Sequence, residues 1–484
     1  MLSRTIVSRS LRPFALKYSR PSIVAVPYKT FHSTIVQAEK SKPGKHVSDI
    51  SKTNENDHRA IGKAQDLFMI HPVSPGSIFM LPHGTRIVQR LQDFLRREYK
   101  RYGYDEVMTP LIYKKDLWET SGHWQNYKED MFMVSSGKEE HHSGCCGDAH
   151  GDTSDGDADA DEGLYGLKPM NCPGHCLIFD SVQRSYRDLP IRLADFSPLH
   201  RNEVSGALSG LTRVRRFHQD DAHIFCTKDQ IVTEISSCLS FVDRVYKAFD
   251  FPHFDFTLST RPDNNYIGSV TEWDNAEDAL KKALDTTGRP WTVKEGDGAF
   301  YGPKIDIMVK DSLGKSHQTA TIQLDFQLPQ RFKLKYVDEH DQAQTPVIVH
   351  RAILGSIERM LAILIEHTNG KWPFWLSPRQ AVILPVATPF ADYATQVAKS
   401  LSGSGDENNT DESFYVDADT SSRDRLNKMI RQAQQQRYNF IGVVGQKEMD
   451  TGTVNVRTRS GEILGSMTVE ELRSMFSKLN ADLK

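Results

Sequence analysis

No apolar run in this 484-residue chain approaches the roughly 20 residues that a bilayer-spanning helix needs; AVILPV, from Ala381, is only strand-sized. A membrane span is therefore not expected. Cysteine is scarce as well. The six, at positions 145, 146, 172, 176, 226 and 238, form no regular framework in a chain long enough to bury a core without staples. They read as reduced thiols or metal ligands rather than disulfides. Acids are missing from the first 38 residues, where Arg4, Arg9, Arg12, Lys17, Arg20 and Lys29 stand among serines and scattered apolar residues. That is the chemistry of a segment addressed to the mitochondrial matrix, although an unstructured basic tail would share it. Secretion is disfavoured because Arg and Pro break the apolar run. Excess positive charge is also absent. The net charge is −3, and without those six basic residues 54 basic face 63 acidic side chains, a net −9. Seven of the acids crowd into GDAHGDTSDGDADADE (147–162), so the rest of the surface is near balance and RNA would have to meet local basic patches.

What is present divides the chain. Residues 1–38 read as the transit segment and 39–64, polar and lysine-rich, as a linker. From Thr85, Ile87, Leu91, Phe94 and Leu95 repeat at helical spacing, and Gly103 sits where a C-cap belongs. A short strand around Val107 follows in EVMTPLI, limited by Pro110. Residues 135–163 are rich in Gly, Asp and Ser and read as a disordered acidic insertion; His141, His142, Cys145, Cys146 and His150 within it could bind a soft metal or be an accidental polar loop. Between Leu167 and Trp375, strand-like runs (IRLADFSPLHRNE, RRFHQDDAHIFC, FDFTLST, KIDIMVK, TATIQLDF) alternate with helical ones, and a helix is expected from Arg351 to Glu366. This predicts an α+β domain on an antiparallel sheet over 65–375. After two prolines, Pro373 and Pro378, a small α/β domain is expected over 376–484.

The segment LHRNEVSGALSGLTRVRRFHQDDAHIF, from Leu199, places Arg201 and Glu203 at alternate positions of an expected strand. A Gly/Ser turn leads to a returning strand with Arg213, Phe217, Gln219, Asp221 and His223. Polar groups at every second position make a wet sheet face; a solvated outer face would alternate in the same way.

This segment resembles motif 2 of the class II aminoacyl-tRNA synthetases, ILGSIERML from Ile353 is similar to their motif 3, and GYDEVMTPLI to motif 1. MNCPGH, HRNEVSG, QDDAHIFC, GAFYGPKID and VIVHRAILGSIER together resemble the threonyl-tRNA synthetase family, from about Asp66 to the C-terminus. The resemblance implies a class II antiparallel catalytic domain followed by an anticodon-binding domain. It also implies ATP-dependent activation of L-threonine and transfer to the 3′ end of mitochondrial tRNA(Thr). Arg201 would hold the threonine carboxylate and the α-phosphate, Glu203 the adenine edge, and Phe217 would stack on the base. Arg213 and Arg359 would meet the pyrophosphate, with Mg2+ accompanying the triphosphate. Cys172, His223 and His350 fall on the family's Zn2+ ligands, three donors that leave a position open for substrate. Spacing alone would not find them: a lone histidine in HIF or VIVH is more often a core residue, and the local rival is Cys172 with His175 and Cys176. Asp221, Gln219 and Tyr301 match threonine-pocket residues, Tyr301 otherwise being a turn residue.

His123 in TSGHW matches a histidine implied to help deprotonate the terminal adenosine, for which a near-neutral pKa would suit; a structural histidine is the plainer reading. In the C-terminal unit Arg423, Arg425, Arg431, Arg457 and Arg459 are candidate tRNA contacts, though solvated helix faces look similar. Motif 1 implies a homodimer. Only a short linker separates the transit segment from the catalytic core, so no amino-terminal editing domain is expected, nor a dedicated site that clears mischarged seryl-tRNA. The competing readings are a catalytically dead relative serving as an RNA-binding or polymerase accessory subunit, and another class II synthetase of prolyl or seryl type.

Overall fold

In the computed structural model, residues 56–135 and 164–484 are described, apart from 252, 265, 311–313, 315, 404–412 and 422–423. Residues 1–38, read from sequence as a transit segment, the metal-binding candidates between His141 and His150, and Arg423 lie outside the described residues. Helix α1 (His58–Ala64), N-capped by the Asp57 side chain, falls within the stretch expected as linker, so the chain takes up regular structure before Gln65. Helix α2 (Pro82–Tyr102) buries Ile87, Leu91, Phe94 and Leu95 on one face and ends at Gly103, whose φ of 70° needs no Cβ. It starts three residues earlier than Thr85 because Pro82 is tolerated in the first turn, where its missing N–H is not needed.

The larger domain is built on strands β1 (Asp105–Glu106), β2 (Ile191–Asp195), β3 (Pro198–His200), β4 (Arg216–Cys226), β5 (Phe254–Ser259), β6 (Trp291–Lys294), β7 (Lys304–Lys310), β8 (Ser316–Asp325) and β9 (Val347–Ser356). They form one sheet in the order β6-β5-β7-β8-β9-β4-β2-β1, with β3 paired to the start of β4. Only the edge pairs β5/β6 and β1/β2 are parallel; β7, β8, β9 and β4 run antiparallel to their neighbours. Helices α2, α4 (Ile231–Ala248), α5 (Val270–Thr286) and α6 (Ile357–Thr368) share with the sheet a core that includes Phe94, Phe241, Leu280 and Ile363; α3 (Cys172–Asp180) packs Phe179 in a separate apolar cluster with Phe225 and Ile348.

The helix expected from Arg351 begins six residues later, at Ile357. Val347, Ile348 and Val349 favour a pleated strand, β9 stays in register with both neighbours from Ile348 to Ala352, and Gly355 (φ 70°) and the Ser356 cap then turn the chain into the helix. A bulge between Gln219 and Asp221 interrupts the β4/β9 pairing and drops Asp220 into the core. There its carboxylate accepts from the backbone N–H of Ile353 and Leu354 and faces Arg351, itself buried against the rings of Tyr99, Tyr104 and Phe241. Bulge and ion pair together fix the register of the two central strands.

The smaller domain is a five-stranded mixed sheet of β10 (Ala381–Pro385), β11 (Val416–Ala418), β12 (Phe440–Val444), β13 (Thr453–Thr458) and β14 (Ile463–Thr468), in the order β11-β10-β12-β13-β14. Helices α7 (Ala391–Ser402), α8 (Leu426–Gln435) and α9 (Val469–Ala481) cover it. Among the described residues no helix is long and apolar enough to cross a membrane.

Candidate active site

Strand β3 ends at His200, so Arg201 and Glu203 do not stand on a strand as expected; they lie in an extended loop just beyond it, where the Arg201 N–H donates to the Arg215 carbonyl. Arg213 is likewise not on the returning strand, which starts at Arg216, but in a tight turn bridged to Ser209. The loop between the two strands, residues 201–215, is longer than its Gly/Ser stretch at 205–210. The side chains nevertheless converge. The Arg201 guanidinium lies 5.0 Å over the Phe217 ring and its Nε–H donates to the Pro169 carbonyl at 3.3 Å. Arg213 Nε donates to Glu203 Oε2 at 2.9 Å, and Arg359, in the first turn of α6, donates to the Thr212 carbonyl at 3.2 Å.

These residues line a cleft of about 450 Å³ whose charge is three guanidiniums against one carboxylate. Among the described residues neither Arg201 nor Arg359 forms an ion pair. Arg359 is open to solvent yet sits inside the concavity, where withdrawal from bulk water, then the charges of Arg201 and Arg213, lower its pKa. Crowded cations, Arg201 and Arg359 without an ion pair among the described residues, beside an aromatic face make a receptor for a polyanion carrying a flat ring.

A second cavity of about 140 Å³ adjoins the first and shares Arg201 and Gln219 with it. On its floor His223 of β4 and His350 of β9 are register partners, and Cys172 opens α3; one donor atom of each lies within 4.8 Å of the others. The two imidazoles stand 4.6 Å apart at 86°. Each has its other ring nitrogen engaged: His350 Nε2 is 3.0 Å from Asp325 Oδ2 and His223 Nδ1 is 2.8 Å from His175 Nδ1. That leaves His350 Nδ1 and His223 Nε2 for a cation. Burial pushes the Cys172 thiol up and the His223 imidazole down, so both stay neutral until a cation compensates. One soft thiolate and two imidazoles suit Zn2+, with further positions open to a ligand. Among the described residues the local rival, Cys172 with His175 and Cys176, does not bring its donor atoms within 4.8 Å of one another; His175 Nδ1 instead meets His223 Nδ1 from behind.

Asp221, its carboxyl pushed up by burial and held by Asn171 Nδ2 at 3.1 Å, and Tyr301, whose ring is 5.9 Å from that of His350, complete this cavity with Gln219. Thr321, Gln323 and Asp325 of β8 were not singled out beforehand, although they alternate in TIQLD and so share one sheet face; Thr321 and Gln323 line the small cavity and Asp325 backs His350. His123 lines neither cavity. Its Nδ1 is 2.7 Å from Ser121 Oγ, and burial lowers its pKa to about 4, not the near-neutral value expected of a general base. In the smaller domain Arg425 and Arg431 are exposed at and along α8. Arg459 instead donates to the carbonyls of Trp372 and Lys371, tying the two domains together, and the buried Nε of Arg457 has no partner among the described residues.

The family described as tRNA synthetase class II core domain (G, H, P, S and T) matches residues 156–368, and the anticodon binding domain family matches 380–479. With the antiparallel sheet and the arginine-lined cleft, these define a class II synthetase core followed by an anticodon-binding domain. A probable cytoplasmic threonine–tRNA ligase 1 of Dictyostelium discoideum is 53% identical over 88% of this chain and 56% of that protein. A mitochondrial threonine–tRNA ligase 1 of Arabidopsis thaliana is 48% identical over 90% and 57%. The solved RNA binding domain of threonyl-tRNA synthetase from Cryptosporidium parvum Iowa II superposes with a TM-score of 0.78 at 47% identity, covering 87% of this chain and 98% of that one. The chain belongs to the threonyl-tRNA synthetase family, and spans little more than half the length of the curated relatives it matches.

Proposed function

We propose that the protein is a threonine–tRNA ligase that joins L-threonine to ATP and passes it to threonine tRNA in the mitochondrial matrix. The observation that carries this is the meeting of two cavities at Arg201 and Gln219: a cationic cleft for a nucleotide triphosphate, and a small polar chamber over Cys172, His223 and His350. ATP, entering with Mg2+, would lay its base on Phe217 beside Glu203 and its phosphates among Arg201, Arg213 and Arg359. The threonine carboxylate attacks the α-phosphorus, the bond to the β-phosphate oxygen breaks, and pyrophosphate leaves. Charge building on the equatorial oxygens meets the fixed Arg201 fork, which stabilises the transition state more than the ground state. In the second step a ribose hydroxyl of the tRNA terminus attacks the acyl carbon and AMP departs.

Cys172, His223 and His350 would hold Zn2+, which when bound offers open positions to the amino and hydroxyl groups of threonine. Asp221 accepts the hydroxyl proton as a hydrogen bond. A chamber that must satisfy a hydroxyl rejects valine by a factor of about 10⁴ to 10⁵, whereas serine, short of one methyl, is disfavoured by only about 1–3 kcal/mol.

Exposed Met108, Leu111 and Ile112, in the motif 1 segment just after β1, support a homodimer through that face. The acid-free basic leader supports the mitochondrial address. Charging of a threonine tRNA transcript with labelled threonine tests the activity. RNA binding without charging would instead indicate the accessory-subunit reading.

A further inference from the structure

Helix α1 lies outside both cavities, yet His58 in its first turn is buried and reaches two of the elements that build the nucleotide cleft. Its Nε2 accepts the backbone N–H of Leu211 at 3.2 Å, and its Nδ1 lies 2.7 Å from Glu366 Oε1. Because Nε2 must accept from an amide, Nδ1 carries the proton and donates it to Glu366, which fixes the tautomer from its partners. Asp57, His58 and Glu366 are close enough to suggest a cation site, but both ring nitrogens of His58 are already engaged, so the cluster binds protein rather than metal.

We infer that His58 is a positioning residue for the nucleotide cleft, holding the turn that carries Arg213 in register with the helix that carries Arg359. The inference rests on the ATP-dependent activation proposed above. The contacts close a ring. Leu211 is held by His58, His58 by Glu366, and Glu366 follows Arg359 by seven residues of α6, two turns along the same helix face. Arg359 Nε then donates to the carbonyl of Thr212, the residue after Leu211, and Arg213 comes next. Removing His58 opens this ring opposite the arginines and lets the turn move relative to α6.

A second observation points the same way. Gly210 has φ 48°, and a Cβ there would overlap His58 Nε2, so the turn approaches His58 as closely as a glycine allows. An alanine at this position separates turn and imidazole without touching either arginine.

The test compares the unaltered chain with His58→Ala, Gly210→Ala and the double variant in threonine-dependent ATP–pyrophosphate exchange, with folding followed by thermal melting. Either single change is expected to raise the KM for ATP on the order of 10- to 100-fold through misplaced guanidiniums, with the KM for threonine within about twofold. The double variant should be no worse than the poorer single one, because both open the same contact. His58→Gln, which can still donate and accept, should recover part of the loss. An unchanged KM for ATP in folded His58→Ala and Gly210→Ala, or equal rises for ATP and threonine, overturns the inference, the latter marking general loosening. If His58→Ala fails to fold, Gly210→Ala alone decides by the same two readouts. Absence of exchange in the unaltered chain overturns the activity reading itself, and is distinguished because it needs no variant.

Discussion

Asp325 has no route to a substrate, being fully buried, but its contact with His350 Nε2 leaves the opposite ring nitrogen for the cation. Asp325→Asn should therefore lower zinc affinity by about 10- to 100-fold, measured by metal content after chelator competition, while ATP binding is kept. Retention of zinc at the original affinity would mean that His350 is held by other contacts. His123 makes a pH prediction. Its pKa of about 4 lies below the ordinary histidine value near 6.5, so between those values the folded chain binds fewer protons than the unfolded one. This contribution to stability is complete above about pH 6.5 and is lost as pH falls toward 4, by about 3 kcal/mol in all. His123→Gln should flatten that part of the melting-temperature profile; an unchanged slope would place the effect elsewhere. At neutral pH the imidazole is already a neutral base, so the transfer step should show no rise between pH 6 and 8 from this group. Cys172, His223 and His350, scattered over the chain, carry no local spacing signal. Each looks like a core residue in its own segment, and only the ordered motif set singles them out.

Element boundaries were legible where local chemistry decides them and blurred where tertiary pairing does. Gly103 and the apolar spacing of α2 mark that helix directly. The stretch RAILGS reads as helix from sequence because Arg, Ala and Leu suit a helix well. Pairing of β9 with β4 and β8 overrides that preference until Gly355. Gly355 is therefore a hinge between the strand bearing His350 and the helix bearing Arg359. A Cβ there would meet the Thr319 carbonyl at a φ of 70° that disfavours side chains. Gly355→Ala should cost about 1–3 kcal/mol, read as a lower melting temperature, and should also lower exchange activity by shifting Arg359. Full stability in this variant would show that strand and helix can slide past each other. Arg201, Glu203 and Arg213 were placed on strands by alternation, yet all three occupy loops. Their convergence depends on the fold of the turn, which residue periodicity does not encode.

The two-domain order and the antiparallel sheet could be read from the strand runs and the proline-flanked boundary; the junction between the domains could not. Arg459 was a candidate for RNA, and its guanidinium instead bonds the Trp372 and Lys371 carbonyls, while Asn439 bonds Trp372 and Arg86 reaches Pro378 and the Tyr415 ring. These contacts hold the anticodon-binding domain at a set attitude to the cleft. Arg459→Ala should leave threonine-dependent exchange within about twofold but reduce the kcat/KM for tRNA charging by about tenfold, since a 1.4 kcal/mol loss of pre-organisation suffices. Equal loss in both reactions would make the junction part of the catalytic fold itself.

The most direct measurement is ATP–pyrophosphate exchange with threonine, serine and valine, on protein of known zinc content and again after chelation. Exchange that needs zinc with threonine, is about 10- to 200-fold weaker with serine, and is nearly absent with valine is expected from the chamber over Cys172, His223 and His350. Threonine exchange that survives complete zinc removal, or that valine matches, would contradict it.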